Sequence, residues 1–461
     1  MNRTLTHAFW LAALMVAATP ASAADDAEIV RGRYLATAGD CIACHTAPGG
    51  QSMAGGLPLA SPLGPIYSTN ITPSKTHGIG NYTLEQFDDA LRHGKRADGA
   101  YLYPAMPYTA YAKLTSEDVA DLYAYFMRGV APVDTAAPQT DLPFPFNIRA
   151  SMGVWNAIFL DTTPYQADPS QSQEWNRGAY LSKGLAHCTT CHTPRNALMA
   201  EDHGRLLAGA ALGGWDAPNI TSDPVSGIGN WSEAELVAYL SGHPVPGKGS
   251  AAGPMAEAID FSLKHLTAAD LKAIAVYIKS VPAVVTPGVK QSADSFGKPA
   301  DRLDSIRGVA LPQNHDAMTG AQIYDSYCAS CHQAQGQGTD GDTLPSLFHN
   351  TALGHSSTDN LVQVMLHGIQ RHDANSVMPG FAAELSDKQI ATLGNFLLAT
   401  YGNPDAKVTQ EQVAALRDPA TAGMDSSLVT LARIAIAVVV IVVLALIVWL
   451  LSRGSRRRKA V

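Results

Sequence analysis

The chain has 461 residues, a formal charge of −8 and only 16% charged residues, so it has room for roughly three domains and is too acidic to present a nucleic-acid-binding surface. Gly and Pro are frequent, at 39 and 28, which suits small loop-rich units wrapped around a large apolar group better than one extensive core. All six cysteines fall into three identical frames, each closed by histidine, and none is left over for a disulfide.

In chain order, Arg3 and His7 precede an apolar run from Phe9 to Thr19 and then Ala21-Ser-Ala23. This is the pattern of a secretory signal peptide over 1–23, with maturation at Ala24, and its apolar run is too short to span a bilayer.

The first unit, 24–145, opens on a short predicted helix, Ile29-Val-Arg31-Gly32-Arg-Tyr34-Leu-Ala, which leads into Cys41-Ile-Ala-Cys44-His45. Cys-x-x-Cys-His is the attachment signature of c-type haem. Two thiols one helical turn apart reach the two vinyl groups of one porphyrin, and the following histidine is held beneath the iron. A lone Cys-x-x-Cys also suits a zinc half-site or a thioredoxin-like redox pair. Three such frames, each ending in His and with no spare thiol, favour haem. A Gly/Pro-rich loop follows from Pro48 to Pro65, then Asn70-Ile-Thr72 and Gly78-Ile-Gly80-Asn81. Thr83 caps a predicted helix over Leu84 to His93, with apolar residues at 84, 87 and 91. Beyond Tyr103-Pro-Ala-Met106-Pro107-Tyr108, Ser116 begins a last helix with Val119, Leu122, Tyr123 and Phe126 on one face.

The second unit, 165–290, repeats the first. Arg177-Gly-Ala-Tyr180-Leu precedes Cys188-Thr-Thr-Cys191-His192 as Arg31-Gly-Arg-Tyr34-Leu precedes Cys41. Asn70 pairs with Asn219, Gly78 with Gly227 and Met106 with Met255, all at an offset of 149, against 147 between the motifs. A shared register of this kind marks an internal duplication. The third unit, 310–405, is shorter: Gly320-Ala-Gln-Ile-Tyr324 leads to Cys328-Ala-Ser-Cys331-His332, a helix is predicted from Leu361 to His367, and Met378-Pro379 precedes a final helix from Asp387 to Tyr401. Proline-rich joints at about 132–145 and 282–312 separate the units, and a polar linker is expected over 406–427.

Ile434 to Leu451 is an uninterrupted apolar run with no charge, Gly or Pro, flanked by Arg433 and by Arg453, Arg456, Arg457, Arg458 and Lys459. Its length predicts a transmembrane anchor over 428–452, with 453–461 as a cytoplasmic tail by the positive-inside rule. The haem domains would then stand in the periplasm, on a single-pass protein of the bacterial inner membrane. Without Arg3 and the six cations from Arg433 onward, residues 24–432 carry −15.

Helix, haem motif, loop, methionine and helix, three times over, is the order of class I cytochrome c. The expected fold is all-α: three tandem class I cytochrome c domains with a C-terminal transmembrane helix, and three covalently bound haem c groups. The proximal iron ligands follow from the motif as His45, His192 and His332. A thioether as sixth ligand favours ferrous iron, and Met106, Met255 and Met378 each stand in the segment before or at the approach to the last helix. Met53 lies too close to His45 to reach the opposite haem face, and Met127 falls within a helix as a core residue. His93, His243 and His367 recur after the middle helices, where they read as helix-end residues. Asn70, Asn219, Arg92 and Tyr67 are either propionate partners or ordinary turn and surface residues.

With these motifs in hand, the chain resembles the triple-haem cytochrome c subunit of bacterial membrane-bound alcohol, aldehyde and sugar (or sugar-acid) dehydrogenases of the acetic-acid-bacterium type. The resemblance covers nearly the whole mature chain and is carried by Tyr67-Ser-Thr-Asn-Ile-Thr-Pro73, Gly78-Ile-Gly80, Tyr103-Pro-Ala-Met106-Pro-Tyr108 and Ala217-Pro-Asn-Ile-Thr221 with Gly227-Ile-Gly-Asn-Trp231. It implies a partner catalytic subunit carrying pyrroloquinoline quinone, flavin or a molybdenum cofactor, and membrane ubiquinone as the acceptor. The chain would then be an electron-transfer subunit, not catalytic alone; it has no dinucleotide motif and no nucleophile constellation. The alternatives are a multi-haem peroxidase, which needs an open distal position, and the cytochrome subunit of a terminal oxidase, which usually carries two haems and an N-terminal anchor.

Overall fold

The computed structural model describes residues 21–339, 344–369, 378–417 and 429–434, with 437–438, 441–442, 444–447 and 449. The signal-peptide assignment therefore lies mostly outside the described residues; 21–23 open the first helix, Ala21–Ala38.

The helices start where local chemistry satisfies their first N–H groups. Thr83 and Gln86 form a reciprocal capping box at helix Leu84–His93, and Gly94 closes it in the left-handed region at φ 61°. Ser232 with Glu235, Thr319 with Gln322 and Ser386 with Gln389 do the same at Glu233–Leu240, Gly320–Tyr327 and Asp387–Tyr401. Of the expected apolar stripe in Leu84–His93, Phe87 and Leu91 are buried while Leu84 is exposed. The last helix of the first unit runs Ser116–Ala124 and loosens into a π-turn over Tyr125–Gly129. Among the described residues, two short antiparallel hairpins stand beside the helices: Pro58–Leu59 pairs with Ile66–Tyr67, and Ala210–Leu212 with Trp215–Ala217.

The repeated Arg-Gly-x-Tyr-Leu segment has a separate role for each of its polar and small residues. Arg31 grips Asp121 of its own unit's last helix at 2.6 and 2.8 Å, and Arg177 grips Asp270 at 2.8 Å twice. Gly32 and Gly178 allow the crossing: a Cβ there would fall 2.0 Å from Asp121 O and 1.9 Å from Ala273 O. The tyrosines reach into the other unit. Tyr34 Oη donates to Asp270 Oδ2 at 2.6 Å and accepts from Thr267 N–H at 3.2 Å. Tyr180 Oη donates to Asp118 and accepts from Thr115 N–H at 3.3 Å. Each tyrosine thus docks on the cap of the partner unit's last helix, and the exchange is reciprocal.

That exchange makes the first two units one body. Leu35, Leu91, Leu122 and Phe126 of the first share a single apolar core with Leu181, Leu185, Ile259 and Ile274 of the second. The third unit has its own core around Ile323, Leu366, Ile390 and Tyr401. It meets the second through the hairpin at Trp215–Ala217: Asn360 Oδ1 accepts from Asp216 N–H and its Nδ2 donates to Asp216 O, both at 2.8 Å. Within the expected linker, helix Gln410–Arg417 buries Val413 and Leu416 against that third core.

The expected transmembrane helix over 428–452 is corrected, and with it the single-pass anchoring in the inner membrane. Among the described residues no helix is long and apolar enough to cross a membrane. Within 428–452, the stretch 429–434 is described without a break. The rest of the run is described only at separate positions, and the tail 453–461 lies outside the described residues.

Candidate haem-attachment sites

Each Cys-x-x-Cys-His frame forms a single helical turn: Cys41–Cys44 with His45 as its cap, Cys188–His192, and Ala329–His332 with Cys328 as its N-cap. One turn places both thiols of a frame on the same side with the histidine following. Burial pushes the thiols of Cys41, Cys44, Cys188 and Cys328 up to about 12 and raises that of Cys191.

The histidines supply the test of fit for haem. His45 Nδ1 meets Thr69 O at 2.6 Å, His192 Nδ1 meets Pro218 O at 2.8 Å and His332 Nδ1 meets Pro345 O at 2.9 Å. A carbonyl only accepts, so Nδ1 carries the proton and donates in all three, which leaves the Nε2 lone pair for iron. Burial lowers all three imidazoles below their ordinary range, favouring the neutral form that ligates a metal. A zinc half-site does not require this repeated arrangement. The residues fit haem.

The carbonyls are held in turn. Asn70 Oδ1 accepts from Thr72 N–H at 2.9 Å and Thr72 Oγ1 at 2.7 Å, while its Nδ2 donates to Val133 O and Thr135 O at 2.8 and 2.9 Å. Asn219 repeats this with Thr221 at 2.9 and 2.7 Å and with Val284 O at 2.7 Å. Both amides are buried and committed to the backbone, so the Asn-Ile-Thr repeat is a clamp on the loop whose preceding residue, Thr69 or Pro218, orients the proximal histidine. Arg92 is likewise committed, to Asp88 and to Leu114 O at 3.2 Å.

The structure brings Cys41, Met106, Cys188 and Met255 to the surface of one apolar core. Met106 sits in a turn before Tyr108–Tyr111, and Met255 in the first turn of Gly253–Phe261. Met378 is half-buried and its carbonyl accepts from Ile369 N–H at 2.9 Å; Cys328 packs on the third core, among whose neighbours Met378 is not found. Met53 is buried at φ 62° within the first core, and Met127 packs beside it.

Sequence reasoning passed over the residues that precede the first cysteine. Asp40 and His187 occupy equivalent left-handed positions, φ 52° and 34°. Asp40 Oδ1 is buried without a hydrogen-bond partner, and burial, reinforced by Glu257, pushes this carboxyl up to about 8. Burial drives His187 down to about 4, and its ring stands edge-on to Tyr111, whose hydroxyl donates to Gly39 O at 2.7 Å. Burial pushes the Cys44 thiol up, and Asp40, Glu257 and Cys191 add to that push. The recurring position before each motif was the available signal.

Two family descriptions match parts of the chain: "Cytochrome c" over residues 29–129 and "Cytochrome C oxidase, cbb3-type, subunit III" over 315–397. The fructose dehydrogenase cytochrome subunit of Gluconobacter japonicus is 47% identical over 95% of this chain and 93% of its own length. The gluconate 2-dehydrogenase cytochrome c subunit of Pantoea cypripedii is 39% identical over 89% and 94%. The alcohol dehydrogenase (quinone) cytochrome c subunit of Gluconacetobacter polyoxogenes is 40% identical over 88% and 87%.

Proposed function

This chain belongs to the cytochrome c subunits of bacterial fructose, gluconate and alcohol dehydrogenases, and from that premise we propose that it holds three haem c groups and passes electrons from its dehydrogenase partner to ubiquinone. It is an electron-transfer subunit of a dehydrogenase complex. The observation that carries the haem count is the threefold Nδ1–carbonyl contact at His45, His192 and His332 beside three pairs of thiols. The proposed domains are 24–145, 165–290 and 310–405, with proximal His45, His192 and His332 and distal Met106, Met255 and Met378. The catalytic partner is of the pyrroloquinoline quinone, flavin or molybdenum type.

Haem supplies a one-electron ferric–ferrous couple. The protein's residues fix its surroundings: the carbonyl-bound Nδ1 groups set the ring orientation, the asparagine clamps hold those carbonyls, and the apolar cores exclude water. Ubiquinone as acceptor is supported by the quinone in the alcohol dehydrogenase relative's name. The oxidase-type likeness is confined to 315–397, one unit of the chain, while the dehydrogenase relatives span most of it. Purified complex given its substrate and a ubiquinone analogue should form quinol; electron delivery only to a terminal oxidase would refute this reading.

A further inference from the structure

Helix Ser151–Phe159, which joins the first two units, is built inside out. Its one buried side chain is polar: Asn156 Oδ1 accepts from Tyr108 Oη at 2.8 Å, and Nδ2 donates to His93 O at 3.1 Å. Its outward face carries Val154 and Ile158, one turn apart and 65% and 63% exposed. Phe144 and Ile148 precede them, and Leu198 and Met199 adjoin from the loop after the second haem motif, all exposed.

Hydrogen bonds tie this ridge to the motif. Trp155 Nε1 donates to Leu198 O at 2.9 Å. Arg195 donates to Met199 O at 3.1 Å and to Thr190 O, between Cys188 and Cys191, at 2.7 Å. Residues 144–160 contain one charge, Arg149, whose guanidinium lies over the Tyr103 ring. Arg433 Nε donates to Phe144 O at 3.1 Å, so the C-terminal apolar run starts from the same ridge, with Leu431 and Ile434 exposed.

Single exposed apolar residues need no explanation, but a cluster whose helix hides its amide and displays its aliphatics marks a binding surface. We propose that this ridge is where the acceptor quinone is reduced. The inference rests on the quinone reading above and assigns that acceptor a place. A ridge that carries no acidic residue over 144–160, and whose one charge there, Arg149, is folded over the Tyr103 ring, gives a protein partner little electrostatic steering, whereas a quinone ring and its isoprenoid chain find the apolar contact they need, and the neighbouring motif supplies the electron route. Quinone becomes quinol by taking two electrons, which substrate oxidation in the dehydrogenase subunit supplies in succession through the chain, and two protons from water onto its two oxygens.

The test uses the complete complex with Val154→Glu and Ile158→Glu combined, and reads two quantities: substrate-driven appearance of ferrous haem absorbance, and turnover with a short-chain ubiquinone analogue. The expected result is haem reduction as in the parent and quinone turnover lowered about tenfold, the factor set by roughly 1.4 kcal/mol of binding. The exposed pair Val309→Glu with Leu311→Glu, remote in sequence, should leave both unchanged. If the glutamates lower haem content, Val154→Ser with Ile158→Ser carries the same expectation. Unchanged quinone turnover overturns the proposal. So does loss of haem reduction with release of the dehydrogenase subunit, which would assign the ridge to that partner. A parent complex that reduces no quinone refutes the acceptor itself.

Discussion

Replacing Tyr34 or Tyr180 by phenylalanine tests whether the first two units form one cooperative body. Tyr34→Phe removes the 2.6 Å bond to Asp270 Oδ2 while the bidentate Arg177 contact keeps that carboxylate paired. The lost contact with Thr267 N–H lies at an exposed helix start that water can re-solvate. What remains is one hydrogen bond to a charged acceptor, about 1.5–3 kcal/mol. Tyr180→Phe removes the matching bond to Asp118, which has no arginine at hydrogen-bond distance to take its place among the described contacts, so its cost belongs at the upper end. For a body of this size 1 kcal/mol moves the midpoint by roughly 2–4 °C, so each change should lower the transition of units one and two by about 3–12 °C. The third unit, with its separate core, should keep its midpoint. Differential scanning calorimetry of the full haem-loaded chain resolves this. Separate transitions for units one and two, or equal shifts in all three, would refute the reasoning.

Three further predictions follow from the same contacts. Gly178→Ala forces a Cβ to within 1.9 Å of Ala273 O, so the helices must part; thermal unfolding should register about 1–3 kcal/mol of destabilisation, and an unchanged midpoint would mean that the crossing is looser than described. Asp40 ionises with its carboxyl pushed up to about 8, so its contribution to stability is full below about pH 4 and is lost as pH rises through 8. Asp40→Asn, which suits the left-handed backbone, should flatten that decline and be more stable than the parent at pH 9, by at most roughly 5 kcal/mol; parallel stability–pH curves would contradict this. Met106→His exchanges a thioether for an imidazole and should lower one haem potential in a redox titration, whereas Met127→Leu should leave all potentials in place.

Much of the site was legible because haem chemistry fixes residue type and spacing within five positions. The middle helix Leu84–His93 was legible too, since a Thr/Gln capping box and a C-terminal glycine bound it locally. What lay hidden depends on distant partners. Arg31-Gly-Arg-Tyr34 announced a helix before the motif, yet nothing local says that the arginine serves its own unit and the tyrosine its neighbour. The carbonyls that orient the histidines carry no side-chain signal. The helix Ser151–Phe159 was missed because its apolar residues face outward, the reverse of the pattern that amphipathic reading relies on. The C-terminal run was read from hydropathy alone, and among the described residues no helix there is long enough to cross a membrane.

The central claim is that three haems on one chain take electrons from a dehydrogenase partner. Anaerobic titration of the purified complex with its own substrate, followed at the ferrous c-type haem band and normalised to chain concentration by pyridine haemochrome, measures it directly. The account predicts three haems per chain, all reducible by substrate, and two after Cys41→Ala with Cys44→Ala. Two haems in the parent, or three that only a chemical reductant can reduce, would contradict it.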